Sequence, residues 1–253
     1  MGRWNIARVD DVHVVTMASN KVNAMNDDFF SDLQAAIAEL QSAEVLPVVL
    51  TGSGNCFCAG LDLRWLYDLD RVTLTSFIDR LDATVLAWLS LPRPTVAAVN
   101  GHAIAGGCVL ALACDLRVAG DRDARIGVNE VHVGIPFPAV PLAVMRHALS
   151  PAAIREVMLF GALYGPEEAK ARGLVDSTVP SADVVSRAVA LARSVASDSI
   201  PAYAALKTHL LAPTLAALDA SREQVNREFL DVWFSEEGRR RLTAMRERLL
   251  KRS

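Results

Sequence analysis

The sequence predicts an α/β fold: a spiral of stacked β-β-α turns followed by a helical C-terminal region. Three observations carry that expectation. Short β-branched runs that end in glycine, VVLTGSG and TVAAVNG, recur with helical stretches between them. Strand signal fades after Ser150, where amphipathic segments follow one another. The chain has 253 residues, 52% of them hydrophobic, which is enough to bury a sizeable core within one unit.

Composition narrows the classes of function. A formal net charge of −3 gives no overall attraction to nucleic acid or anionic lipid, so neither is expected as a partner. The four cysteines, Cys56, Cys58, Cys108 and Cys114, match no paired C-x-x-C zinc pattern and read as buried thiols of a reducing compartment, with no metal expected. The start, MGRWNIARVD, has no apolar leader core, and Ile6 stands where a myristoylation signal wants Ser or Thr. No unbroken apolar run approaches the roughly 18 residues of a membrane span. A cytoplasmic protein is the expectation.

The elements follow in order. WNIARV and VHVVTM form a hairpin pair, because Asp10 and Asp11 separate two alternating runs. DDFFSDLQAAIAELQSA places Phe29, Leu33, Ile37 and Leu40 at helical spacing. PVVLTG is a strand ending in a glycine turn. A helix over Leu74 to Ser90 stops before Pro92 and Pro94, TVAAVNG repeats the strand, helix signal resumes at Gly106, and DLRVAG is strand again. Beyond Ser150, SADVVSRAVALARSVAS, SIPAYAALKTHLLA and TLAALDASREQVNREFLDVWFS read as successive helices punctuated by proline or serine. The division expected is a core over 1–195 and a helical region over 196–253, with no linker long enough to make the second independent.

Two segments share one local geometry. GSGNCFCAGLDL and NGHAIAGGCVLAL each leave a strand and enter a helix through small residues. Such turns let a ligand approach the backbone, and their free N–H groups are donors that together can hold one oxygen. The alternative is that Gly106 and Gly107 only permit close packing of the helix. Neither segment carries G-x-G-x-x-G or G-x-x-x-x-G-K-[ST], so nucleotide-dependent redox or phosphoryl chemistry lacks its cradle.

GNCFCAGLDL, AAVNGHAIAGGCVLALACDLRVAG and IGVNEVHVGIPFP resemble, in this order, the signature segments of the crotonase, or enoyl-CoA hydratase/isomerase, superfamily. GPEEAKARGLVDSTVP and the closing amphipathic helix extend the resemblance over nearly the whole chain. It implies a crotonase-like spiral assembled into trimers or paired trimers through the helical C-terminal region. It also implies an acyl-CoA substrate with no further cofactor. In that family two backbone N–H groups form an oxyanion hole for the thioester carbonyl, and matching positions assigns them to Ala59 and Gly106. Preorganised donors of this kind each contribute on the order of 3 kcal/mol to lowering the barrier.

Family hydratases carry two glutamates, and this chain departs from them at the first, where Val109 stands. The second matches Glu130. Hydration needs one group to activate water and one to protonate C2, and valine supplies neither. A single base suffices to move a double bond, and the pattern is closest to the Δ3,Δ2-enoyl-CoA isomerases. A dienoyl isomerase would need an acid eight residues after Glu130, where Pro138 stands; the next carboxylate is Glu156. The alternatives are a hydratase-like or otherwise diverged enzyme, such as a hydrolase or decarboxylase, and a silent acyl-CoA-binding subunit. Without the flanking signatures, Glu130 beside an asparagine would read as a solvated loop residue.

Further roles are assigned on the same resemblance. The backbone from Ala59 through Gly60, Leu61, Asp62 and Leu63 lines the acyl-CoA path, and Asp62 also caps or braces the next helix. Asn23 and Ala24 match the adenine-side loop. Trp65, Leu66 and Phe77 fall in the segment that forms the acyl pocket. His132, read as two places along an extended strand from Glu130, is a packed or rim residue with a substitute acid as the alternative. The basic tail GRRRLTAMRERLLKRS offers Arg246, Arg248 or Lys251 to the CoA phosphates.

Overall fold

The computed structural model describes residues 4–196 and 199–251; residues 1–3, part of the stretch read for a leader, and the last two of the basic tail lie outside the described residues. Strands β1 (Asn5–Val9) and β2 (Val12–Met17) form the antiparallel hairpin, with Asn5 opposite Thr16 and Asp10 turning the chain at φ 51°. Helix α1 (Asp27–Ser42) starts at Asn26, whose side chain accepts from the Phe29 N–H, and buries Phe29, Phe30, Leu33, Ile37 and Leu40 on one face.

Three turns of the spiral follow, each with two strands that lead into helix. The first is β3 (Val48–Gly52), β4 (Cys56–Cys58) and the helices α2 (Leu63–Leu66) and α3 (Arg71–Leu89). The second is β5 (Thr95–Val99), β6 (His102–Ile104) and α4 (Gly106–Leu112). The third is β7 (Leu116–Gly120), β8 (Ile126–Gly127) and α5 (Glu130–Val133). The first strand of every turn joins a large sheet and the second a small one, β4-β6-β8, parallel throughout. The strand-to-helix exits of successive turns are therefore stacked side by side.

Helices α6 (Ala139–Ala148), α7 (Pro151–Phe160) and α8 (Pro166–Ala171) lead to β9 (Ser177–Val179), which completes the large sheet in the order β1-β2-β3-β5-β7-β9. Helices α9 (Val184–Ala196), α10 (Ile200–Phe234) and α11 (Glu236–Leu250) follow. Alternate residues of the large sheet face two cores. Val14, Val49, Val96 and Val118 pack against Val184, Ala188 and Ala192 of α9, while Leu50, Ala97, Val99 and Ala119 enter the larger core.

Three expectations are corrected here. The segments expected as two helices between 199 and 235 form the single helix α10, which continues through Pro213 because Leu211 and Leu218 on either side are both buried in the core. Strand β9 lies in the region where strand signal had faded; it has three residues, all half-buried, too few for a periodic signature. Glu130 opens the helical turn α5 instead of continuing a strand, and Gly134 closes that turn in the left-handed region at φ 87°. No helix among the described residues is long and apolar enough to cross a membrane.

Candidate active site

The two glycine turns touch. Gly60 adopts φ +83°, and a Cβ placed on it would lie 2.9 Å from the Gly106 nitrogen. A Cβ on Gly106 would lie 3.7 Å from the Leu61 nitrogen. The two adjacent glycines have different work. A Cβ on Gly107 would fall 2.0 Å from the Cys58 carbonyl oxygen, so Gly107 is required by packing of α4 on β4. The same addition at Gly106 meets only the Met25 sulfur, at 3.0 Å, besides ordinary contacts.

One expected donor is corrected. The Ala59 N–H donates to the Val22 carbonyl at 3.0 Å and is committed to holding the loop after β2. Among the described residues no acceptor meets the N–H of Leu61 or of Gly106. Leu61 and Gly106 both line a cleft of about 350 Å³, part of it open to solvent, while Ala59 does not. The positive φ of Gly60 turns the backbone between Ala59 and Leu61, and the N–H left unengaged beside the cleft is that of Leu61 and not that of Ala59.

Glu130 lines the same cleft. It sits there because β8 ends at Gly127 and α5 begins at once, with Asn129 in the N-cap position. Its Oε2 is completely covered and has no hydrogen-bond partner. Burial pushes the carboxyl from the ordinary 4.5 up to about 7, against the opposing pull of the backbone N–H groups of Glu130 itself and Asn129. Val109 of α4, 2% exposed, lines the cleft with it, and Glu130 is the one titratable residue among the described residues that do so. The remaining wall is apolar: Leu81 from α3, Phe137, Pro138 and Pro141 around the start of α6, and Phe229 from α10.

Other expected site residues stand elsewhere. Asn23 is wholly buried at φ 51°, where its side chain accepts from the Ser19 N–H and donates to the Cys56 and Phe57 carbonyls. It ties the loop to β4 and has no surface left for a nucleotide. Both backbone groups of Ala24 are bound by the Asn20 side chain. Asp62 caps α2, accepting from the Arg64 N–H. Trp65 packs edge-on to Phe77 at 5.3 Å, and Phe77 continues through Phe30 and Phe29 to Trp4, while Leu66 is fully buried. These side chains pack in and against the core around α1 and do not line the cleft, whereas Leu81 and Phe229 do. Those two residues are distant in sequence, and no local motif marked them.

His132 is exposed on α5 and packs over Gly161, where a Cβ would lie 3.1 Å from its Nε2. It is not in the cleft. Arg246 is engaged within the chain, donating to Asp68 at 2.8 Å and covering the Tyr67 ring at 4.7 Å, whereas Arg248 and Lys251 are exposed. Of the three basic candidates, Arg246 is thus held by α2 and its following turn.

Residues 8–251 match the family model described as Enoyl-CoA hydratase/isomerase. A putative enoyl-CoA hydratase of Thermus thermophilus is 36% identical over 217 residues, covering 82% of this chain and 84% of that protein. A probable enoyl-CoA hydratase of Mycobacterium tuberculosis, EchA17, is 34% identical over 186 residues, 73% of this chain and 71% of the relative. The human mitochondrial Δ3,Δ2-enoyl-CoA isomerase superposes with a TM-score of 0.91 over 99% of both chains at 27% identity. A Mycobacterium tuberculosis enoyl-CoA isomerase superposes with a TM-score of 0.81 over 90% of this chain and 99% of that one, at 32% identity.

Proposed function

The chain belongs to the enoyl-CoA hydratase/isomerase family, and on that premise we propose that it moves a double bond within an acyl-CoA, from 3-enoyl to 2-enoyl. One observation carries the reading: Glu130 is the lone carboxylate in an otherwise apolar cleft, with Val109 where a second would stand. In the proposed reaction the Glu130 carboxylate removes a proton from C2. The C–H pair shifts toward the carbonyl and leaves a dienolate, whose oxygen rests on the N–H groups of Leu61 and Gly106. The protonated carboxyl then delivers the same proton to C4: the pair of the C3–C4 double bond takes it up as the new C4–H bond, the pair that came from the C2–H bond now joins C2 to C3, and a pair on the oxygen re-forms the carbonyl. One carboxyl serves as base and acid in turn, and a pKa near neutrality suits both halves.

A second reading, hydration of a 2-enoyl-CoA, draws support from the names of the bacterial relatives. It needs a second group to hold and activate water, and the apolar wall opposite Glu130 offers none. The purified protein is given a 3-enoyl-CoA and a 2-enoyl-CoA, and formation or loss of the conjugated thioester is followed by its absorbance. Isomerisation that falls by about 10²–10⁴-fold in Glu130→Gln supports the proposal. Efficient hydration of the 2-enoyl substrate with no isomerisation of the 3-enoyl one refutes it.

A further inference from the structure

Three walls of the acyl end of the cleft come from separate helices: Leu81 on α3, Pro138 and Pro141 at the start of α6, and Phe229 on α10. Each stands beside a member of one buried polar knot. Asp82 follows Leu81 and is wholly buried. Its Oδ1 accepts from the Val140 N–H at 3.3 Å, and its Oδ2 accepts from Asn226 Nδ2 at 2.8 Å and pairs with Arg222 Nε at 3.3 Å. Asn226, one turn before Phe229, uses its Oδ1 to accept from the Ala139 N–H at 2.8 Å.

The sequence of α6 makes this knot necessary. A helix start leaves its first N–H groups without internal partners, and Pro138, in the N-cap position, has no side chain that can accept from them. Pro138 and Pro141 carry no N–H at all. The groups left to satisfy are those of Ala139 and Val140, because the Leu142 N–H already reaches the Pro138 carbonyl at 3.1 Å. Asn226 takes the first and Asp82 the second. The start of α6 is therefore capped from α3 and α10, and the three helices cannot shift apart without stranding buried polar groups.

We infer that Asp82 and Asn226 are positioning residues that fix the size of the acyl end of the cleft, and so set the longest acyl chain admitted. The inference rests on the reading of this cleft as an acyl-CoA site. Phe229 is the floor they hold in place: it is completely buried and backed by Trp233, with ring centroids 5.7 Å apart. The knot itself offers nothing to the reacting atoms, since every acceptor in it is already used.

The test measures binding of unreactive saturated thioesters, butanoyl-, octanoyl- and dodecanoyl-CoA, with free CoA as reference, by titration calorimetry. Wild type, Asp82→Asn, Asn226→Leu and Phe229→Ala are compared, each after its melting temperature has been recorded. Asp82→Asn keeps the shape and the acceptor for Val140 but turns a donor toward Asn226 and Arg222, so it loosens the knot even if Asn226→Leu does not fold. The wild type is expected to lose affinity beyond a limiting chain length. A pocket wall separates ligands differing by one methylene by roughly 10–200-fold, so the ratio of dodecanoyl to butanoyl affinity should rise about tenfold or more in the knot variants and in Phe229→Ala. A ratio unchanged in Asp82→Asn, whatever Phe229→Ala does, overturns the inference. Failure of every thioester to bind the wild type more tightly than free CoA instead overturns the reading of the cleft.

Discussion

Glu130 and Val109 line one cleft, a carboxyl on α5 beside an isopropyl group on α4, and the carboxyl Oε2 has no partner. A base must be ionised to act, so isomerisation should fall as pH drops through about 7, the value to which burial raises this group. Steady-state kcat/KM between acid and alkaline pH locates the midpoint; one near the ordinary 4.5 would show that Glu130 is solvated in the working protein.

Burial of this carboxyl also makes stability depend on pH. The folded protein holds the Glu130 proton more tightly than the unfolded chain does, so between pH 4.5 and about 7 the native state binds more protons and loses stability as pH rises. Above that window the ionised carboxyl destabilises the fold by up to a few kcal/mol, on the order of 1.4 kcal/mol for each tenfold difference in proton affinity between the folded and unfolded chain. Glu130→Gln should therefore melt higher than wild type at alkaline pH and equally near pH 4, as read by scanning calorimetry.

The glycine pair separates packing from chemistry. Gly107→Ala drives a methyl into the Cys58 carbonyl, which is backbone and cannot turn aside. A loss of at least about 3 kcal/mol, or no folded protein, is expected from such overpacking. Gly106→Ala meets only the flexible Met25 thioether and should fold, yet its methyl crowds the space beside the Leu61 N–H. Activity should drop about a hundredfold, as for a misplacement on the scale of an ångström. Melting curves and kinetics on both variants check the contrast.

Asn23→Ala strands the Ser19 N–H and two carbonyls of β4 and sets alanine at positive φ. A loss of about 3 kcal/mol in urea unfolding is expected, since each buried group left unmade costs about 1–3 kcal/mol. A raised KM with unchanged stability would instead mark Asn23 as a nucleotide contact.

Val109→Glu would place a second carboxyl in the cleft. Two like charges in a desolvated space cannot both ionise freely, so the pH midpoint of isomerisation should move above that of wild type and the melting temperature should fall. A midpoint that stays put would mean that the new side chain leaves the cleft.

The parts of this site that were legible in sequence are local ones. Strand, glycine turn and helix follow one another closely in the segments around VVLTGSG and TVAAVNG, and Glu130 was marked by the resemblance of IGVNEVHVGIPFP to a family signature. What escaped depends on direction or distance. Whether Ala59 or Leu61 offers its N–H to the cleft is decided by the +83° φ of Gly60, which residue types alone do not encode. Strands β6 and β8, with three and two residues, are too short for alternation to register. The resemblance pointed to Trp65, Leu66 and Phe77 as pocket residues, but the cleft is lined instead by Leu81 and Phe229, from helices that only the tertiary fold brings together.

The long helix α10 is tied to the rest of the molecule by a half-buried pair, Lys207 to Asp115, and a buried one, Asn226 to Asp82, joining residues 92 and 144 positions apart. Closing such loops costs chain entropy that the contacts recover only once the parallel strands and α3 are already assembled. The floor of the cleft is therefore expected to be among the last parts of the molecule to be completed during folding, after the backbone donors at Leu61 and Gly106 have been set by local turns.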